Sequence, residues 1–251
     1  MNILYGRTDV NLAGPGIVML KTSSELVKKG YSVTMVSSGG ALENEFDSKG
    51  VNVIRIDELA INKRSILNTL HIIRSLRRIM LDYDINVVHG HNMLFTLLAY
   101  VAGKTTRLNV RFCTTIHGYG KEWLCKYIPG KVIVVSDFLK RHLLGFNVKE
   151  NKIIVLRNGL IHLNDYKYDD TVCKPLPTNE KFKIISVAMM TGSKGHDQII
   201  HVIEKICHLG YDVELLFIGE GIAKDLLVAK VEKKGFQDNI KFLGRRRVIP
   251  C

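Results

Sequence analysis

The sequence predicts an α/β protein built as two successive parallel-sheet domains, the second only partly supplied. Three observations carry this expectation. Short apolar runs bounded by turn residues alternate with stretches of helical apolar spacing, which is the pattern of a parallel sheet covered on both faces. The alternation breaks once, over residues 162–181, where periodicity is lost and Pro175 and Pro177 appear. It then restarts and runs to the end of the chain. The expected division is a Rossmann-like domain over 1–165, a linker over 166–181 and a partial Rossmann-like domain over 182–251.

In order, NILYG (2–6) reads as a first buried strand, followed by a loop with Gly14 and Gly16. From Ile17 to Lys29 apolar residues recur at helical spacing, and Gly30 closes the segment as a C-cap would. YSVTMVS is a second strand ending at Gly39-Gly40, and VNVIRI (51–56) a third. Ser65 to Met80 is predicted helical, with Ile66, Leu70, Ile73 and Met80 along one stripe. INVVHGH, VRFCTTIHG, KVIVVS and KIIVLRNG supply four more strand candidates, and SDFLKRHLL a helix that Ser136 or Asp137 can N-cap. The second series is FKIISVA, a helix from about His196 to His208, DVELLFIG, a helix from about Ala223 to Lys234, and NIKFLG. Three strands and two helices are half a doubly wound domain, so Ile218, Phe242 and Leu243 are expected to lack part of their cover.

Hydrophobic content of 46% with mixed charge is that of a soluble globular chain, and no apolar run is long enough to span a bilayer. The first residues already form a strand pattern, so no secretion signal is read, and a cytoplasmic protein is expected. Cys113, Cys125, Cys173, Cys207 and Cys251 show no metal or disulfide spacing, so no metal site is expected. The net charge is +12, and residues 1–165 hold 22 Lys/Arg against 13 Asp/Glu. Such a field favours polyanionic partners, among them an anionic membrane surface. Nucleic acid is not an expected partner, because no aromatic stacking set or recognised module accompanies the basic residues.

Ligands of open parallel sheets bind beyond the carboxyl ends of the strands, which directs attention to the residues just after each one. LAGPG, with Gly14 and Gly16, precedes a helix whose N-terminus can meet an anion, or is simply a tight turn. His89, His91 and His117 stand at strand ends, where a histidine can bond a sugar hydroxyl or phosphate and move protons near pH 7, or can be a satisfied buried group. Asn158-Gly159 ends the first half and also fits a type I′ turn. In TGSKGHDQII, Gly192 and Gly195 bracket Lys194 at a helix start, a suitable cradle for a diphosphate; the Walker spacing is absent, which excludes an ATPase of that type. FIGEG (217–221) is a second Gly-rich turn that places Glu220 toward a ligand or packs backbone closely.

Taken in order, LVKKGYSVTMVSSGG, NVVHGHN, TTIHG, VIVVSDFLK, KIIVLRNGL, SKGHDQII, ELLFIGEG and NIKFLGRR resemble family 4 (group 1) glycosyltransferases of the GT-B fold, over nearly the whole chain. The resemblance implies transfer of a sugar from a nucleoside-diphosphate sugar to a glycan or lipid-linked acceptor of the cell surface, with retention of configuration and without a metal or other cofactor. It implies that Lys194 binds the donor diphosphate with Gly14, Gly16, Gly192 and Gly195, and that His117 lies near the transferred sugar. His91, Ser136, Asn158, Gly159 and Glu220 would line the substrate cleft. Two departures stand out. Ala188-Met189-Met190 replaces a Gly-Arg-Leu that would bring a second cation, and Pro15 and Ile17 alter the N-terminal loop. The family's pair of nucleotide-gripping glutamates would fall beyond residue 251, so the donor site is expected to be incomplete in this chain. A non-catalytic remnant or acceptor-binding module is the alternative; a sugar-nucleotide epimerase fits the SKG and NGL stretches less well.

Overall fold

The computed structural model describes residues 1–63, 65–159 and 181–246. The chain divides into two compact units, Met1–Gly159 and Leu160–Cys251. The expected linker, except Lys181, and also Cys173, Cys251 and the final residues 247–251 lie outside the described residues.

The first unit runs β1 (Asn2–Gly6), α1 (Gly14–Lys28), β2 (Ser32–Ser37), α2 (Glu43–Ser48), β3 (Asn52–Arg55), α3 (Ile66–Asp82), β4 (Val87–Gly90), α4 (Met93–Lys104), β5 (Arg111–Ile116), β6 (Lys131–Val134), α5 (Asp137–Gly145) and β7 (Ile153–Val155). Its seven strands form one parallel sheet in the order β3-β2-β1-β4-β5-β6-β7. Alternation along β1 serves both faces: Ile3 and Tyr5 join Met19, Leu20 and Phe46 on one side, whereas Leu4 joins Ile72, Leu76 and Phe95 on the other. Ser65, Asn92 and Ser136 begin α3, α4 and α5, each accepting a bond from the amide three residues on.

The strand order reverses direction between β1 and β4, and there a helix packs closely on the strand ends. Gly6 and Gly90 are paired across those two strands. A Cβ on Gly6 would sit 1.8 Å from the ring of Phe95, and one on Gly90 1.9 Å from Thr96 Oγ1. Both obstacles belong to the first turns of α4, so the two glycines let that helix press onto the sheet ends.

Two expectations about the first unit are corrected. In α3 the buried residues are Ile72, Leu76, Ile79 and Met80, while Ile66 is 82% exposed and Leu70 is also exposed. The apolar start of the helix is left uncovered among the described residues, and burial begins at Ile72. The strands and most helices fall where the periodicity places them, but α2 and α4 have no counterpart in it. α4 is apolar around most of its circumference, with Phe95, Leu98, Ala99 and Ala102 buried, and so presents no stripe to read.

The second unit contains β8 (Phe182–Val187), α6 (His196–His208), β9 (Val213–Ile218), α7 (Lys224–Lys233) and β10 (Ile240–Phe242). Its parallel sheet has the order β10-β9-β8. Ile200, Ile203, Leu227 and Val231 from the two helices meet Val213, Leu215 and Phe217, alternate residues of the central strand. The expected lack of cover does not fall on Ile218, which is buried; Phe242, whose ring stacks on Phe217 at 5.3 Å, and Leu243 are only partly buried, as the strand count expects. β9 has a neighbour on each side; the exposed apolar residues of the sheet itself are Phe182, Ile185 and Val187, on the edge strand β8.

The glycine contacts predict a sharp contrast between three alanine substitutions. Gly6→Ala and Gly90→Ala should each cost about 1–3 kcal/mol through overpacking against α4. Gly14→Ala, with open space around its Cβ position, should be neutral or stabilise by up to about 1 kcal/mol. Urea denaturation of the three variants measures this.

Candidate functional site

The backbone of β1, β4 and β5 delivers three short segments to one place. Each strand ends in a residue packed into the sheet, and the next one projects past it: Arg7 after Gly6, His91 after Gly90, His117 after Ile116. The His91 amide donates to the Gly6 carbonyl at 2.8 Å, which extends the β1–β4 ladder to the edge of the site. Asn92 then turns the chain into α4. Its carbonyl oxygen Oδ1 accepts from the Phe95 amide at 2.9 Å, and its Nδ2 donates to Thr8 Oγ1 at 2.9 Å. One side chain thus caps the helix and ties it to the end of β1.

A cavity of about 530 Å³ opens at this point. Arg7, Thr8, His91 and Asn92 line it on the sheet side, Met93 and Leu94 at the start of α4, and His117 to Glu122 on the far wall. It occupies the switch point of the strand order, where open α/β sheets place their ligands. Pro15 and the exposed Ile61 also reach it.

Three imidazoles cluster here, and two of them, His91 and His117, line the cavity. His91 Nδ1 lies 3.1 Å from His117 Nε2, so one proton is shared between these two nitrogens, and the rings stack at 5.4 Å. His89 Nε2 is 2.7 Å from Thr115 Oγ1, and its ring lies 4.4 Å from that of His91. Burial pushes His89 and His117 down to about 4, the first helped by His117 and the second by Arg7, and holds His91 well below the usual histidine range. All three are therefore neutral at pH 7. An imidazole this weakly basic is disposed to serve as a hydrogen-bonding group. With Nε2 engaged, His117 retains Nδ1 to meet a ligand. His91 Nε2 is buried with no hydrogen-bond partner.

The other expected residues of this unit are placed differently. Gly14 and Gly16 open α1, which has no side-chain cap and no acidic residue in its first turn. Gly16 is explained by packing, since a Cβ there would lie 2.4 Å from the Asn11 carbonyl oxygen; Gly14 stands in open space. Ser136 is occupied as the cap of α5, its Oγ accepting from the Leu139 amide at 3.2 Å. Asn158 and Gly159 follow β7 without positive φ, so they do not form a type I′ turn. Arg157 beside them pairs with Asp137. Neither the two glycines of α1, nor Ser136, nor Asn158 and Gly159 line the cavity. Residues that sequence reasoning missed are Arg7, Thr8, Asn92 and Glu122. The last is a buried carboxylate 3.8 Å from His142. The rule of looking just past each strand would have found the first three.

The second unit holds its own group. Gly195 caps α6 in the left-handed region, at φ 73°, and no side chain caps the helix. Lys194 is exposed, with no ion pair among the described residues, and Gly192 has open space beside it. His196 begins the helix, buried, with both ring nitrogens lacking partners. Glu220 is held by Lys224 at 2.7 Å. Its neighbours Gly219 and Gly221 would place a Cβ 2.0 and 2.3 Å from the carbonyl oxygens of Ala188 and Met190, so this Gly-rich turn packs backbone on backbone.

Comparison with known proteins gives consistent results. The family model described as Glycosyltransferase Family 4 matches residues 13–161, and that described as Glycosyl transferases group 1 matches 170–249. The chain is 22% identical over 253 residues to the GPI3 polypeptide of the phosphatidylinositol N-acetylglucosaminyltransferase of Saccharomyces cerevisiae, covering 93% of this chain and 55% of that protein. A glycosyltransferase from Rickettsia africae ESF-5 superposes with a TM-score of 0.73 at 23% identity, covering 98% of this chain and 68% of the other. Anabaena HepE in complex with UDP and glucose superposes with a TM-score of 0.72 at 14% identity, over 98% and 70%. The chain spans about half the length of the curated relatives it matches.

The histidine cluster makes stability depend on pH with a definite sign. Below about pH 6.5 the unfolded chain takes up protons that folded His89 and His117 refuse until about pH 4. Their contribution is therefore complete above about 6.5 and falls away as pH drops toward 4, by about 3 kcal/mol for His89. His89→Gln, which keeps a partner for Thr115, should flatten that fall in urea denaturation at pH 7 and 4.5. Arg7→Gln should raise the titration midpoint of His117, read by NMR.

Proposed function

The chain belongs to glycosyltransferase family 4, and we propose that it transfers a sugar from a nucleoside-diphosphate sugar to a glycan or lipid-linked acceptor. The observation that carries this reading is the cavity at the β1/β4 switch point, which lies within the matched stretch except for Arg7 and Thr8 and offers hydroxyl-binding groups rather than a metal cage. Among the described residues no group of His, Cys, Asp or Glu is placed to hold a metal ion.

In this reading the cavity receives the acceptor, and His117 Nδ1 bonds a sugar or acceptor hydroxyl. The start of α6 receives the donor diphosphate, with Lys194 and the amides beyond Gly192 and Gly195 facing its charge. The acceptor oxygen bonds to the anomeric carbon as the bond from that carbon to the diphosphate breaks. The acceptor's proton passes to the departing diphosphate, and the anomeric configuration is retained. The UDP-bound likeness supports a nucleotide donor, and the phosphatidylinositol glycosyltransferase likeness supports a lipid-linked acceptor.

An anionic membrane surface belongs to the same proposal. The start of α3 exposes Ile66, Leu67 and Leu70, with Ile61 and Lys63 just before it. Arg74 and Arg78 follow along the helix, the latter paired with Asp82 at 3.4 Å. Among the described residues no helix is long and apolar enough to cross a membrane. Arg64 lies outside them. Surface attachment by an apolar turn flanked by basic residues fits this arrangement.

Two measurements test the proposal. Calorimetry should show UDP or GDP binding in the high-micromolar to millimolar range, about −4 to −5 kcal/mol. Lys194→Ala should weaken it by about tenfold; an unchanged constant would remove Lys194 from the donor site. Sedimentation with anionic liposomes should show salt-sensitive binding that Ile66→Asp/Leu67→Asp abolishes, whereas equal partition to neutral vesicles would sink the membrane reading.

A further inference from the structure

The cavity contains a positive charge that no described residue neutralises. Arg7 makes no ion pair among the described residues, and its Nε is buried without a hydrogen-bond partner. Its nearest titratable neighbours, His91 and His117, feel its charge and stay neutral. Arg7 lines the open cavity with no described counter-charge beside it, and an unpaired cation there points to an anionic ligand.

Two further features of the wall share that polarity. α4 is twelve residues long, and Asn92 satisfies the amide of Phe95, leaving those of Met93 and Leu94 at the first two helical positions with no intrahelical acceptor. His91 is 3% exposed and its Nε2 has no partner. A guanidinium, two free amides at a helix start and an unmet imidazole nitrogen converge on one space. The opposing charge is Glu122 on the far wall, which does not pair with Arg7 and lies 3.8 Å from His142; Lys121 beside it also reaches the cavity.

We infer that this corner of the cavity is a phosphate-ester subsite, in which Arg7 and the α4 amides hold an anionic group carried by the acceptor. The guanidinium presents a fork suited to two phosphate oxygens, and the helix start supplies donors of fixed direction. The hydroxyl to be glycosylated would then lie a few bonds from that phosphate, toward His117. The word acceptor rests on the proposed function, but the subsite does not: binding can be measured with no donor and no turnover. Loss of transfer activity and loss of this site are thus separate results.

The test is titration of the whole chain with glycerol 1-phosphate, with glycerol as its uncharged counterpart, followed by NMR of the histidine rings. Wild type should bind the phosphate ester saturably and glycerol not at all in the same range. Arg7→Gln should weaken binding by about ten- to hundredfold, the effect of one charge-assisted hydrogen bond. Arg7→Lys, which keeps the charge and loses the fork, should fall between, and thermal melts of both variants establish that they are folded. Short-chain phosphatidylglycerol below its micelle concentration separates the two sources of such a group, since the tighter Arg7-dependent ligand identifies a lipid-borne or a soluble ester. Equal binding by folded Arg7→Gln, or no binding by wild type, overturns the inference. Displacement of the ester by UDP in an Arg7-dependent manner also overturns it, because the phosphate would then be the donor's.

Discussion

The first unit depends on the absence of two side chains. At Gly6 and Gly90, neighbours across β1 and β4, any Cβ would collide with Phe95 or Thr96. Because nothing is there, α4 sits low enough for the Thr96 hydroxyl to bond both the Asn92 carbonyl and Thr114 Oγ1, joining helix, cap and β5. Asn92 reaches Thr8 only from that height. Arg7 and His91 follow directly on the two glycines, so the spacing of the cavity's polar groups is inherited from this close approach rather than from any bond within the cavity.

Burial of three imidazoles beside a guanidinium sets the chemical character of the site. Each ring excludes a proton at pH 7 chiefly because burial penalises its charged form, and neighbouring charge adds to the effect. The site can therefore orient and hydrogen-bond a substrate but is a poor reservoir of protons. Its polar groups are suited to fixing the position of a hydroxyl-bearing ligand rather than to supplying or removing a proton at neutral pH.

Much of this is legible in the sequence, for reasons that differ by element. The strands stand out because parallel strands buried on both faces are short apolar runs closed by turn residues, and Val213–Ile218 is buried at every position. α4 does not, because a helix packed on nearly all sides loses the polar face that makes periodicity visible. The stripe read on α3 differs from the buried one, since spacing alone does not tell which turns of a helix the core covers, and Ile66 at its start is exposed. A count of strands leaves Ile218 bare; the order β10-β9-β8 moves exposure to the edge, a fact of topology that no local pattern carries. His91 and His117 are legible as strand-end histidines, but their contact is not, since 26 residues separate them and only the register of β4 with β5 brings them together. Arg7 draws no attention because one arginine among 36 basic residues is unremarked until its surroundings prove to lack a counter-charge.

The three cavity residues share one address: each is the first residue beyond a parallel strand. None belongs to an apolar cluster of the core, and the residue before each, Gly6, Gly90 or Ile116, belongs to the sheet. Scaffold and recognition surface therefore occupy adjacent positions in the chain but carry separate physical loads. A change at position 7 or 117 alters what the cavity offers a ligand, whereas a side chain added at 6 or 90 displaces the helix that builds the cavity wall.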